Sequence, residues 1–402
     1  MDRHRKVTEP VVVRTGQIAY PLVSEKGVYS SRIYPAGRER WLMNCKIYIF
    51  GAHSRARTLV AYLQSLYPGV AVEAYLYDND EANPCSIDGV GVFDMDREAC
   101  TGLHREYPVF IGTRGIYHAR LAEKLHSLGF EQIYPVTVEM DRKLRGAYLE
   151  KYFKSMGQEF RKIDKLLPGE RDAAKKSASV YVVKSALDGP LQQAYILAPW
   201  EKEIQAGAGL TEERVCGILD DAGENISQWN RQFCELTALY WIWKNAQEDI
   251  VGLAHYRRHF LLPEDWQERM EANEVKVILP VPLYVAPSLA GNYRERHDPS
   301  DWDYMMEYLR ERDMQEAREA EAFFRKNLYS PCNMLITHKA VLEELCEWLF
   351  PILFAAAEHG GTKKDSYWNR YPGFLSERLI SFFFERNRDK YKTVYADKNF
   401  LN

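Results

Sequence analysis

The 402-residue sequence lacks the features that mark the most easily read classes of protein. Its seven cysteines are odd in number and include no CxxC pair, which argues against a zinc ribbon, a thioredoxin-type site and a disulfide framework. The thiols read as small buried hydrophobes in a reducing compartment. No apolar run reaches about 18 residues, so no transmembrane helix is expected. Met1 is followed by Asp2-Arg3-His4-Arg5-Lys6 without an apolar stretch behind it, so no ordinary signal peptide is expected and the expected location is cytoplasmic. An excess of one charge is missing as well. With 53 Lys and Arg against 57 Asp and Glu, the net charge is −4, and no nucleic-acid partner is expected.

What is present is apolar and aromatic material. Hydrophobic residues make up 46% and aromatics 13%, with 9 Trp and 26 Tyr, enough for more than one core. Such rings fill cores and also make stacking platforms for bases and sugars. The length suits two or three domains.

Residues 1–40 carry few periodic signals and read as an N-terminal extension. From about 41 to 140 short buried-strand runs alternate with helical spacing. The strands are Lys46–Phe50, Ala71–Tyr77 and Val109–Gly112; Leu59, Tyr62, Leu63 and Leu66, then Leu121, Leu125 and Leu128, lie between and after them. This alternation implies a parallel sheet with right-handed crossovers, a Rossmann-like domain. Its glycine loop keeps only Gly51 of a GxGxxG fingerprint. That loop either cradles a phosphate at the helix N-terminus, with Asp78 on a ribose, or leaves the site empty. Residues 141–177 are charge-rich and read as a helical linker; the competing reading is a basic surface lying on an anionic membrane leaflet.

A second α/β unit spans 178–402. Its loop Leu219-Asp220-Asp221-Ala222-Gly223-Glu224-Asn225-Ile226-Ser227 gathers acids, Asn and Gly. It holds a cation, a ribose or a donor-sugar hydroxyl through Asp220 and Asp221, or it is turn chemistry, with Ser227 capping the next helix. A buried strand, Asp249–Ala254, then delivers His255-Tyr256-Arg257-Arg258-His259-Phe260 at its carboxyl end, where open α/β sheets bind ligands. Guanidinium forks hold phosphate oxygens, and a metal on His255 is conceivable; the plainer reading is a basic surface turn paired with the acidic loop. Asn292, Tyr293 and His297 follow a Tyr/Pro loop, and Asn333 lies in a loop before a strand. Glu377 is expected near the start of a last helix, where a carboxylate is favoured and could act as a general base.

Two resemblances follow from these residues. Phe50-Gly51-Ala52, Tyr77-Asp78-Asn79-Asp80 and Ile87-Asp88-Gly89-Val90 resemble the nucleotide-sugar-binding domain of sugar acyltransferases, although no hexapeptide repeat follows. From about Val180 onward the chain resembles the DUF4422 family of bacterial glycosyltransferase-like proteins. The matching runs include Ile204-Gln205-Ala206-Gly207-Ala208, Asp220–Ser227, Asn230, Phe233–Asn245, Val251–Phe260, Asn333-Met334 and Gly373–Arg378. The resemblance implies a GT-A-like nucleotide-diphosphosugar transferase domain in cell-surface polysaccharide biosynthesis. It implies a UDP-sugar donor, galactofuranose among the candidate sugars. It also implies a glycan or lipid-linked glycan acceptor, which would bring peripheral contact with the inner face of the membrane.

On that reading Asp220, Asp221, Asn225, Ser227, Asn230, His255, Arg257 and Arg258 hold the donor. Asn333 and His297 meet the acceptor, and Glu377 takes its proton in an inverting transfer. The chain departs from the family pattern in two places. Lys184-Ser185-Ala186 stands where members often carry a His-Lys pair, and His255-Tyr256-Arg257-Arg258 stands where a DxD motif is expected, which leaves dependence on Mn2+ or Mg2+ open. The alternative to a transferase is a non-catalytic scaffold that binds nucleotide sugar or glycan.

Overall fold

The structure, a computed structural model, describes residues 44–78, 83–96, 102–169, 176–192 and 194–401. The expected extension over 1–40 lies outside the described residues. The chain divides into two compact units, one built mainly from residues up to Phe160 and the other from Arg161 onward. The expected linker, 141–177, is therefore split between them, and its residues 170–175 lie outside the described residues.

The smaller unit is the expected Rossmann-like domain. Its sheet contains β1 (Lys46–Phe50), β2 (Ala71–Tyr77), β3 (Ser86–Ile87), β4 (Val90–Asp94), β5 (Val109–Ile111) and β6 (Ile133–Pro135), in the order β3-β4-β2-β1-β5-β6. All pairs are parallel except the β3–β4 hairpin. That hairpin turns on Asp88-Gly89, both with positive φ (50° and 82°), which is the backbone a tight two-residue hairpin turn demands. Helices α1 (Ser54–Leu66), α2 (His118–Ser127) and α3 (Val138–Ser155) cover the sheet. The core includes Tyr48, Phe50, Leu76, Val109, Ile111, Leu121 and Leu125. α3 is a packed part of this unit: the Tyr148 ring lies 5.0 Å from that of Tyr62 on α1.

The larger unit has seven strands in its main sheet. They are β7 (Ala178–Lys184), β8 (Glu201–Gln205), β9 (Ile218–Leu219), β10 (Ile250–His255), β11 (Val277–Pro280), β14 (Leu335–His338) and β15 (Thr393–Ala396); β12 (Leu283–Tyr284) and β13 (Leu328–Tyr329) stand outside it. The order is β15-β11-β14-β10-β7-β8-β9, parallel except for β14, which runs antiparallel to both neighbours. β7 and β10 are buried almost throughout, as continuous apolar runs with both faces covered should be. The chain leaves β7 for β8 on one side and returns to β10 on the other, so a crevice opens beyond the carboxyl ends of β7 and β10. The flanking helices are α4 (Asn230–Phe233), α5 (Leu236–Asn245), α6 (Trp266–Ala272), α7 (Leu289–Arg296), α8 (Pro299–Arg312), α9 (Met314–Phe324), α10 (Lys339–Gly360) and α11 (Tyr371–Arg386). Among the described residues no helix is long and apolar enough to cross a membrane. Two α/β units, each with a mostly parallel sheet, match the two-domain α/β architecture expected from the sequence.

Candidate active site

The acidic turn is built around Asp220, which is fully buried. Its carboxylate accepts four hydrogen bonds: from Gly207 N at 2.8 Å, Ala208 N at 2.9 Å, Ser227 Oγ at 2.5 Å and Thr237 Oγ1 at 2.6 Å. Gly207 has φ 71°, and a Cβ there would fall 2.6 Å from Asn230 Oδ1, so only glycine brings its amide to Asp220. Asn230 in turn donates to Cys234 O at 2.8 Å and to Thr237 Oγ1 at 3.0 Å. The structure thus brings Asp220, Ser227 and Asn230 into one network, but with both Asp220 oxygens turned inward. In place of a contact to donor, Asp220 has the role of locking the turn. Ser227 does not cap a helix; its hydroxyl bridges Asp220 and Gly209 N.

Asp221 and Asn225 face outward from that locked turn. They line a cavity of about 750 Å3 with Ala208, Thr211, Arg214 and Gln228. Asp221 pairs with Arg214 at 3.5 Å. Asn225 Nδ2 donates to Asp221 O and Gly223 O, which sets the turn's curvature. Arg257 and Arg258 do not line this cavity, so the acidic loop and the basic run are not each other's partners there.

The basic run leaves β10 into the crevice. His255 Nε2 donates to Cys332 O at 2.7 Å. Burial lowers the His255 pKa, against the pull of Glu235 and the Cys332 carbonyl, which favours the neutral imidazole. Arg257 Nε donates to Tyr256 Oη at 2.7 Å, and the Arg258 guanidinium lies over the Phe400 ring at 5.2 Å. Asp188, in the loop after β7, is drawn to Arg257, His255 and the Tyr256 hydroxyl, but burial nevertheless raises its pKa. His259 is different. It is buried, stacked on Tyr195 at 3.6 Å and 2.9 Å from Glu201 Oε1, and it braces the loop from beneath.

Glu377 is the seventh residue of α11, in its second turn, and not at the helix start as expected; the helix-dipole argument, confined to the first turn, does not apply to it. Its carboxylate accepts from Cys332 N at 2.6 Å and meets Arg378 Nη1 at 3.3 Å. Burial raises its pKa, Arg378 and the Cys332 amide oppose that, and Glu235 adds to it. Glu235 Oε1 accepts from Asn333 Nδ2 at 2.8 Å. Glu235 lies in the run Phe233–Asn245, to which the sequence assigns no site role. The available signal was a carboxylate in the apolar stretch Phe233–Trp243, next to a residue that breaks the helix. That residue, Cys234, has φ 48°, and Cys332 and Asn333 have φ 75° and 51°. Three non-glycine residues in the left-handed region around one cluster store roughly 1–3 kcal/mol each, held by the hydrogen bonds just described.

Asn333 is buried, donating to Glu235 and Gly373 O and accepting from Ser376 Oγ at 2.6 Å. His297 is buried against Phe374 at 4.1 Å, and burial drives its pKa down to about 3. Both therefore support α11 from behind, where the sequence had placed them against an acceptor. Nor do the residues fit a Mn2+ or Mg2+ centre, which wants several oxygen ligands. Asp220 is saturated, Asp221 is paired, His255 Nε2 is committed to a carbonyl, and no cluster of three His, Cys, Asp or Glu exists among the described residues.

In the smaller unit Asp78 is engaged by Arg120 at 2.7 Å and Lys124 at 3.2 Å, the position where a ribose was considered. Asn79 and Asp80 lie outside the described residues.

Fold and site define a two-unit α/β protein with a polar centre at the switch point of its larger sheet. Residues 192–388 match the model of the family described as "Domain of unknown function (DUF4422)". The apo structure of WbbM, a bifunctional glycosyltransferase, is similar with a TM-score of 0.50 and 23% identity, over 56% of this chain and 45% of that one. The chain thus spans less than half of WbbM, and the likeness shows a shared fold. No curated protein matches by sequence.

Proposed function

We propose that the chain is a glycosyltransferase that moves a sugar from a UDP-sugar to a hydroxyl of a glycan or lipid-linked glycan. The observation that carries this reading is the meeting, at one sheet's switch point, of the His255 imidazole, the Arg258 guanidinium and the Glu377 carboxyl, with Arg257 of the same turn beside Asp188. Arg257 and Arg258 neutralise the diphosphate as it departs, and His255 donates to the loop that carries Cys332 and Asn333. Asp221 and Asn225, in the neighbouring cavity, hold the nucleoside or sugar hydroxyls. Glu377, ionised, takes the acceptor proton as the acceptor oxygen bonds to the anomeric carbon. The bond from that carbon to the diphosphate oxygen breaks, its electron pair leaves with UDP, and the anomeric centre inverts. Galactofuranose is one candidate donor sugar among those the family resemblance implies.

The deciding experiment is turnover of a UDP-sugar panel, UDP-galactofuranose included, over glycan acceptors, with and without Mn2+ or Mg2+. UDP release that depends on acceptor supports the transferase. Tight binding of UDP-sugar without turnover under any condition moves the chain to the non-catalytic scaffold reading.

A further inference from the structure

Residues 397–401 lie alongside 257–261 as a short antiparallel strap. Leu261 N donates to Asp397 O at 2.8 Å, Asn399 N to His259 O at 3.0 Å and Leu401 N to Arg257 O at 2.8 Å. His259 N donates to Asn399 Oδ1 at 2.7 Å, and Phe260 and Lys398 face each other as a bridge. In such a pair opposite residues project to the same side and successive residues alternate. Arg258, Phe260, Lys398 and Phe400 therefore share one side of the strap. The Arg258 guanidinium over the Phe400 ring agrees with this register. The electrostatics agree independently. Burial pushes the Cys332 thiol up to about 11, and the largest opposing influence is the charge of Lys398, followed on the same side by Arg258. Lys398 is thus close to the loop whose amide holds Glu377.

We propose that this strap completes the anion-binding end of the site, with Lys398 joining Arg258 on the diphosphate and Phe400 orienting the Arg258 guanidinium. The proposal rests on the transferase reading and adds to it a contact from a segment outside the motifs that suggested it. A planar fork and a compact ammonium are complementary on a diphosphate: one fixes direction and the other supplies a mobile point charge. Holding the pair on the strap, not on the sheet, allows the two cations to be set together by three backbone hydrogen bonds.

The test compares the full chain with Lys398→Ala and Lys398→Arg in calorimetric titrations with UDP, GDP, uridine and inorganic pyrophosphate. For the phosphate probes that the wild-type chain binds, Lys398→Ala is expected to weaken affinity about tenfold or more, the loss of one charge-assisted contact. Lys398→Arg should restore most of it, uridine binding should not change, and the gap should narrow as salt is raised. Wild-type affinity for phosphate probes in a folded Lys398→Ala chain overturns the strap proposal and leaves the transferase reading standing. A wild-type chain that binds none of the phosphate probes overturns both.

Discussion

Glu377 draws opposite influences onto one carboxyl. Burial and Glu235 favour the protonated form, whereas Arg378, Arg258 and the Cys332 amide favour the ionised one, and the balance lies on the raised side. A general base works only when ionised, so turnover should rise with pH through that raised pKa, placing the acid limb above the ordinary carboxylate range near 4.3. Glu377→Gln should lower kcat by roughly 10²–10⁴-fold and leave UDP binding nearly intact. A pH–rate profile together with a binding titration checks both statements, and undiminished turnover in the variant would remove Glu377 from the role. His297 makes a different pH prediction. Its folded pKa is about 3 against about 6.5 unfolded, so neutrality is favoured in the folded state. The associated stability is complete above about pH 6.5 and is lost as pH falls towards 3. His297→Phe, which keeps a ring against Phe374, should flatten the decline of melting temperature between pH 7 and 4. These roles were only half legible in the sequence. Residue type marked Glu377 and His297 as candidates, but their burial is set by Phe374, Tyr367 and Arg378, which pack around them only in the fold.

Strands announced themselves as elements because both faces of β7 and β10 are covered, leaving unbroken apolar runs such as Val180–Val183 and Ile250–Ala254. After the acidic turn, where the sequence suggests one helix behind Ser227, the chain forms two, α4 and α5. The apolar spacing continues across Cys234, but the break there depends on Asn230 bonding to the Cys234 carbonyl and on Arg370 Nε donating to its thiol at 3.0 Å. Local periodicity carries no trace of such partners. The turn itself is the element most exposed to mutation. Asp220→Asn replaces an acceptor of four donors by a group that itself donates, and should destabilise the larger unit by about 2–3 kcal/mol. Gly207→Ala should be of comparable severity, since the added carbon meets Asn230 and the backbone stands at positive φ. Denaturant midpoints for the two variants measure this directly.

Among the described residues each unit has buried apolar packing of its own, around Tyr48, Leu76 and Ile111 in the smaller and around Val182, Ile250 and Ile336 in the larger. Nucleotide should therefore act on one of them: UDP at about 100-fold over its Kd should add about 2.7 kcal/mol to the larger unit. Differential scanning calorimetry is expected to show the upward shift in that unit's transition alone. A shift confined to the other transition would move the ligand to the Gly51 loop, despite the two cations already on Asp78. The buried anchor at Asp220 has a last consequence for how variants of this protein behave. On the proposed mechanism, a library scored only by product formed would rank Asp220 with Glu377, since replacing either should cut the yield of product. One loss is of shape and the other of chemistry, and a cell would meet the first as scarcity of folded protein and the second as abundant, idle protein.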